Sequence, residues 1–293
     1  MPAADTATAA ATLAWWAWPI LLFVTTFALG IVAVLSGVGG GVLFVPIVGG
    51  FFPFHLDFVR GTGLLLALSG ALSAAPTLIA SGLASLRLAM PFALVGSTAS
   101  IFGALLGLAL PASLMQTALG ASILAIAALM WRAKRSEFPE AGAPDPLGDA
   151  LRLSGVFRDA RDGTTHAWRV HRTPAGLAVF ALIGMLAGMF GLGAGWANVP
   201  ALNLLLGAPL KVSVATSGLV LAVTDTSAAW IYLHSGAVLP LLTVPSIIGM
   251  MLGAKIGARL LRVAPAAKIR VAVLALLLLA GVRSLLKGLG WWN

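Results

Sequence analysis

Two glycine-rich runs, 154 positions apart, are the residues best suited to chemistry with a small ligand. The first runs from Gly37 to Pro46 and the second from Gly191 to Pro200. A helix that restarts after glycines in a membrane presents unpaired N–H groups and a positive dipole end, which favour an anion. The alternative is that the glycines only allow close helix packing. The glycines expected at an anion site are Gly37, Gly39, Gly40, Gly41, Gly191, Gly193 and Gly195.

Polar side chains beside these runs add hydrogen-bond donors. Thr62 and Thr216 are equivalent positions, each near the start of the apolar segment that follows a glycine run. Their hydroxyl groups can donate to an anion or cap their helices, and the sequence leaves both interpretations open. Ser217 adjoins Thr216, and Asn198 lies in the second run, where its amide suits a bound anion or a structural hydrogen bond. We expect all four at the substrate site.

Two of the charged residues inside apolar segments, Asp225 and Lys255, are candidates for a role in function. Asp225 is deep in its segment, and an intramembrane carboxyl group is a functional candidate, here for proton coupling or for pairing with a cation. Lys255 is a candidate for attracting an anion, although a lysine near the end of a span also extends its ammonium group to the interface. The equivalent positions in the first copy are Ala71 and Ile101, so the repeat does not require either charge.

The sequence contains no recognisable catalytic set or metal-ligand pattern. There is no cysteine, and His166 and His171 are too few to bind a metal without further ligands. His55 and His234 fall at the ends of loops. We therefore predict no catalytic residues, no metal, no cofactor and no enzyme activity.

The composition places these residues in a lipid bilayer. The chain of 293 residues is 60% hydrophobic and 9% charged, which is more apolar than a soluble domain can accommodate. Its net charge of +9 is concentrated in a few loops, which indicates membrane topology and argues against nucleic acid as a partner.

Five apolar segments in each half are expected to position the site. A crossing helix needs about 20 apolar residues, whereas a run of about 10–14 indicates a broken element. We predict an all-α polytopic membrane protein with 8–10 transmembrane helices, two of them short or broken. The long segments lie near 13–36, 61–80, 88–110, 112–131, 174–190, 212–233, 238–261 and 266–286, and the short ones near 37–52 and 191–206.

The basic residues predict that the two halves are inverted. The central loop, 132–173, carries eight of the 18 lysines and arginines and should be cytoplasmic, whereas the N-terminal tail has none. Five crossings per half satisfy both observations. The result is a single transmembrane transporter domain, 1–293, with repeat one at 13–131 and repeat two at 174–287. Asp162-Gly163 suggests a small cytoplasmic β-hairpin in the loop, with a solvated linker as the alternative.

Duplicated apolar units with interrupted segments are typical of secondary transporters, whose sites lie between the repeats. Four stretches of the second half carry a more specific resemblance. These are 191–200 (GLGAGWANVP), 207–210 (GAPL), 214–217 (VATS) and 232–238 (YLHSGAV). Together with 37–46 (GVGGGVLFVP) in the first half, they resemble the sulfite exporter TauE/SafE family. The chain departs from the usual family pattern at Ala194 and Trp196. Residues 55–60 also differ from residues 209–214 of the second copy, notably at His55, Asp57 and Arg60.

The resemblance implies a secondary transporter that moves sulfite, thiosulfate or an organosulfonate such as sulfoacetate across a bacterial inner membrane. Asp225 is the candidate for proton coupling because of its place in an apolar segment. An anion channel that uses the same broken helices is the alternative, and it would show conductance without coupling. A membrane enzyme would need a catalytic set. The expected partners are the small anion and the lipid bilayer, and a homodimer remains open because no decisive interface signature is visible.

Overall fold

The computed structural model describes residues 16–36, 39–52, 54–80, 83–132, 145–158, 165–193, 195–260 and 266–291. Among these residues, the first half has five helices: α1 Ala17–Ser36, α2 Gly40–Phe51, α3 Leu56–Ala80, α4 Leu86–Ala109 and α5 Ala112–Arg132. The loop contributes a short helix and a hairpin: α6 Pro146–Ala150, β1 Gly155–Arg158 and β2 Thr165–Trp168. The second half contains α7 Thr173–Phe190, α8 Gly195–Pro200 with a π-helical extension Ala201–Leu205, α9 Leu210–His234, α10 Pro240–Leu260 and α11 Ala266–Gly288.

The helices confirm an all-α polytopic membrane protein. Five helices in the described part of the chain are long and apolar enough to cross a membrane, and three further apolar stretches are shorter. The bounds of α3 and α9 differ by 154 at both ends (210 − 56 and 234 − 80), and each helix has 25 residues. The element order therefore repeats at the same offset as the glycine runs.

Equivalent helices of the two halves run antiparallel where they touch. Along α5 and α11, Gly120 packs against the backbone of Leu285 and Gly288 packs against Thr117, so the numbering rises in one helix as it falls in the other. Where α3 meets α9, Gly61 lies near Tyr232 at the start of α3 and the end of α9. Antiparallel equivalents are what inverted repeats require.

The first helix of each half packs in parallel against the fourth helix of the other half, through glycines. In the α1–α10 pair, a methyl group built on Gly30 would lie 2.6 Å from the Met250 carbonyl oxygen, and one on Gly249 would lie 2.5 Å from that of Phe23. In the α4–α7 pair, a methyl on Gly107 would lie 2.6 Å from the Met189 carbonyl oxygen. Small residues at these positions let the backbones approach closely, as in other membrane interfaces.

Both short helices return the chain to the level at which the preceding long helix began. Phe52 and Phe54, after α2, pack against Trp18 at the start of α1, with ring centroids 6.2 Å and 5.4 Å apart. After α8, the Leu206 carbonyl accepts a hydrogen bond from the N–H of His171, just before α7. Each short helix therefore reverses the direction of the chain, and the described part of each half contains five helical segments that alternate in direction.

The central loop contains the β-hairpin, with β1 and β2 antiparallel and Gly155 opposite Trp168. Its predicted turn, residues 161–164, lies outside the described residues. Leu153, Trp168 and Val170 are buried in one cluster with Leu206 and Ala208, which follow α8. The hairpin unit therefore packs against the end of the second short helix.

Candidate functional site

Both glycine runs contain backbone conformations that favour glycine. Gly39 has φ +92° immediately before α2, while Gly191 and Gly193 have φ +68° and +69° between α7 and α8. L side chains rarely adopt these angles. Gly37 lies outside the described residues. The chain is therefore non-helical at both breaks, and a new helix starts after each.

The two breaks meet inside the protein. A methyl group on Gly41, in the first turn of α2, would lie 2.5 Å from the Leu192 carbonyl oxygen in the second break. Gly191 packs directly on the backbone of Arg60 in α3. A methyl on Gly193 would lie 2.6 Å from Ala67 Cβ, near the middle of α3. The meeting point is therefore at mid-depth in the bundle.

Asp225 faces this meeting point. Its carboxylate oxygen Oδ2 would lie 3.1 Å from a methyl group built on Gly193. The side chain is fully buried, and neither carboxylate oxygen has a hydrogen-bond partner in the described part of the protein. Intramembrane carboxyl groups mark proton relays and ion pathways. This one faces the non-helical backbone of the second break.

Hydroxyl groups of α4 and α9 lie beside Asp225. Ser100 Oγ donates a hydrogen bond to the Thr224 carbonyl at 3.0 Å. The hydroxyl oxygens of Ser97 and Thr224 are buried and have no partner among the described residues. Sequence reasoning missed these three residues, although Ser97 and Ser100 are visible as a polar pair one turn apart in an apolar run. Ser97, Ser100, Thr224 and Asp225 together form a buried polar cluster.

The structure does not bring the two threonines together. The hydroxyl oxygens of Thr62 and Thr243 lie 2.9 Å apart, while Thr216 Oγ1 accepts from the N–H of Ser85 at 3.1 Å. Neither hydroxyl caps its own helix. Since α3 and α9 are antiparallel and each threonine is its helix's seventh residue, the two lie about 20 Å apart along the bundle. One small anion cannot contact both in this conformation.

The remaining predicted residues lie in different surroundings. Asn198 is fully buried in α8, and neither atom of its amide has a partner in the part of the chain that the structure describes. Ser217 is buried beside Thr216, and Gly195 is buried at the start of α8. Gly40 packs under the side chain of Met250. Lys255 lies on the exposed side of α10 and does not share the burial of Asp225.

Arg60 is the largest fully buried side chain in the described structure, at 2% exposure. The sequence distinguished Arg60 only as a difference between the two copies, because the second copy has Val214 at the equivalent position. Its guanidinium pairs with Asp57 and donates to the carbonyls of Gly107 and Met189 at 3.0 Å and 3.1 Å. An arginine one turn after an aspartate in an apolar segment is the signal that could have indicated a buried pair.

No group of three or more histidine, cysteine, aspartate or glutamate side chains that could hold a metal ion is found among the described residues. The groups at the meeting point are backbone N–H groups, hydroxyls and one carboxyl group. Such a set can bind a small polar solute and exchange a proton with it.

Comparison with known proteins agrees with the geometry. The family described as Sulfite exporter TauE/SafE matches residues 22–284. The "Probable membrane transporter protein YunE" of Bacillus subtilis (strain 168) is 25% identical over 279 residues, which cover 92% of this chain and 98% of the relative. No solved structure matches the chain. Because the family match spans most of the sequence, the chain belongs to the sulfite exporter TauE/SafE family.

Proposed function

We propose that this membrane transporter moves a small sulfur-containing anion, such as sulfite, thiosulfate or sulfoacetate, across the bacterial inner membrane, coupled to a proton carried by Asp225. The family and the named relative support membrane transport. The substrate class comes from the family description. Proton coupling comes from one observation, the buried and unpartnered carboxyl group of Asp225 at the meeting point of the two breaks.

Backbone and side-chain donors supply the affinity for an anion. The first residues of α2 and α8 have N–H groups without intrahelical partners, and both helices start next to the meeting point. The amide of Asn198 and the hydroxyls of Ser97 and Thr224 are buried and able to donate. Hydrogen bonds to an oxyanion are stronger than those between neutral groups, so a few donors suffice.

Asp225 links proton and substrate through charge. When its carboxyl group carries a proton, the O–H donates to an oxygen of the anion, and no charge repulsion arises. When the proton leaves, a carboxylate and an oxyanion face each other in a site of low dielectric, and the repulsion favours release. The proton and the anion therefore enter and leave the site together.

The test is flux of radiolabelled sulfite, thiosulfate and sulfoacetate in proteoliposomes, with and without an imposed pH gradient. We expect the gradient to drive accumulation of at least one anion. Asp225→Asn, which keeps the shape but cannot release a proton, should abolish gradient-driven accumulation, whereas Asp225→Glu should retain part of it. Asp149→Asn, at an exposed carboxyl group, is the matched control.

Two outcomes would overturn the proposal. Ionic conductance that does not respond to the pH gradient would identify a channel. If gradient-driven accumulation survives in Asp225→Asn, Asp225 does not carry the coupled proton.

A further inference from the structure

A cluster of charged side chains lies at the end of the helix bundle opposite the hairpin. It consists of Arg60, Asp57 and His55 at the start of α3, with Tyr232 at the end of α9. The Arg60 guanidinium lies 5.8 Å from the centre of the Tyr232 ring, and the Tyr232 hydroxyl donates to the Gly188 carbonyl at 3.0 Å. One guanidinium therefore joins the ends of four helices, because its carbonyl partners Gly107 and Met189 belong to α4 and α7.

The cluster borders the second break. The backbone of Arg60 is in direct contact with Gly191, and a methyl group on the next glycine of α3, Gly63, would lie 2.5 Å from the Gly191 carbonyl oxygen. Arg60 therefore lies next to the same break that Asp225 faces. The same positions in the second copy are Lys211 and Val214, in place of Asp57 and Arg60. The pair exists at only one end of the molecule.

The partners of Arg60 differ in how firmly they are held. The side chain of Arg60 is 2% exposed, whereas that of Asp57 is 28% exposed and that of His55 is 59% exposed. His55 Nδ1 lies 3.3 Å from the second carboxylate oxygen of Asp57. Arg60 Nε has no hydrogen-bond partner among the described residues. The cation is thus fixed in the protein, and its only carboxylate partner in the described structure reaches solvent.

A buried guanidinium requires a nearby anion, since removal of its partner leaves an uncompensated charge. Its planar fork of donors fits a carboxylate and an oxyanion equally well, and it can bind either through two hydrogen bonds. Exchange of one for the other keeps the charge of Arg60 compensated throughout.

We propose that Arg60 is a second anion-binding site, at which a sulfur oxyanion displaces the carboxylate of Asp57 before it reaches Asp225. Asp57 then acts as a built-in competitor that occupies the guanidinium when no substrate is present. The proposal rests on the proposed function only for the class of anion, and it is independent of proton coupling.

Measurements of anion binding and transport in the variants Asp57→Asn and Arg60→Lys test the site. Asp57→Asn removes the competitor and keeps the buried cation, so the half-saturating thiosulfate concentration should fall by about tenfold, the equivalent of roughly 1.4 kcal/mol. Arg60→Lys keeps the charge without the fork and should raise that concentration with little change in maximal rate. Arg87→Gln, at an exposed arginine, is the control for loss of a cation.

Anion-dependent thermal stabilisation of the purified protein, with thiosulfate and sulfite as ligands, gives a readout that does not require transport. Stabilisation that strengthens in Asp57→Asn supports the site, whichever solute crosses the membrane. Suppose that the wild-type protein transports the anions, and that Asp57→Asn and Arg60→Lys have the same half-saturating concentration and the same anion-dependent thermal stabilisation as the wild type. The proposed Arg60 site would then be wrong, while the proposed function would stand. If no sulfur anion is transported yet Asp57→Asn gains anion binding, the proposed function fails and the site stands.

Discussion

The two glycine breaks share a backbone design, but their surroundings differ. Beside the second break lies the buried polar cluster of Ser97, Ser100, Thr224 and Asp225. The equivalent positions near the first break carry no polar side chain and are Met251, Ala254, Gly70 and Ala71. Met250 covers Gly40 at the first break, whereas the residue equivalent to Met250 is Gly96, next to Thr224.

The difference shows that the duplicated backbone and the single-copy side chains serve separate purposes. Duplication brings two broken helices together at one point, as the contact of Gly41 with Leu192 shows. The polar groups then gather on one side of that point, and an apolar side chain fills the other. A small solute would therefore meet polar side chains mainly at the second break, whereas the first break would offer it backbone N–H groups.

Relocation of the carboxyl group should have the largest effect. In the double variant Asp225→Ala and Ala71→Asp, the carboxyl group moves to the equivalent place beside the first break. We expect gradient-driven flux to be lost, as in Asp225→Ala alone, because the positions equivalent to Ser97, Ser100 and Thr224 are Met251, Ala254 and Gly70, which carry no hydroxyl group. The measurement is anion accumulation in proteoliposomes under a pH gradient. Recovery of flux in the double variant would mean that the two breaks are equivalent.

Alanine at the two breaks should give a smaller and unequal effect. Gly193→Ala and Gly39→Ala both place a side chain at positive φ, at a cost of about 1–3 kcal/mol each. Only at Gly193 would the methyl group also meet Ala67 and Asp225, which adds roughly 1–3 kcal/mol of overpacking. At Gly39 it meets nothing within 4 Å among the described residues.

We therefore expect Gly39→Ala to keep most of its flux and Gly193→Ala to lose it, together with a larger drop in melting temperature. Melting curves in detergent and flux in proteoliposomes check both expectations. Equal losses in the two variants would show that backbone strain alone decides the outcome.

The smallest predicted effect is a change in local stability at the C-terminal ends of the short helices α2 and α8. Aromatic rings hold the end of α2, whereas His171 holds the end of α8 by packing against Gly207. Burial lowers the pKa of His171 from its ordinary value of 6.5, and Arg172 lowers it further, with Asp145 opposing. Folding therefore favours neutral His171. The stability that it contributes is complete above pH 6.5 and falls as the pH drops below that value.

Amide hydrogen exchange of residues 145–158 and 165–172 checks this prediction. Exchange, corrected for its intrinsic pH dependence, should be faster below pH 6.5 than above it in wild type. His171→Gln should remove most of the difference, and His234→Gln, at an exposed histidine, should leave it unchanged. A pH response that persists in His171→Gln would assign it to another group.

Much of the scaffold could be predicted because it depends on local sequence and on the repeat. The offset of 154 residues relates the first and last residues of α3 to those of α9, and hydrophobicity indicated the long segments. Asp225 stood out because a carboxyl group is rare in an apolar run. Contacts between distant segments carry no such signal. The separation of Thr62 from Thr216 follows from antiparallel packing, and the burial of Arg60 depends on carbonyls of two other helices.

The exchange of helix partners between the halves has a consequence for dividing the chain. A cut between residues 133 and 144 would separate α1 from α10 and α7 from α4, so each fragment would lack the surface against which its first glycine-bearing helix packs. Co-expressed fragments should restore both pairs at once. An ancestral chain with one copy would have met the same need only by associating with a second copy inserted the opposite way round.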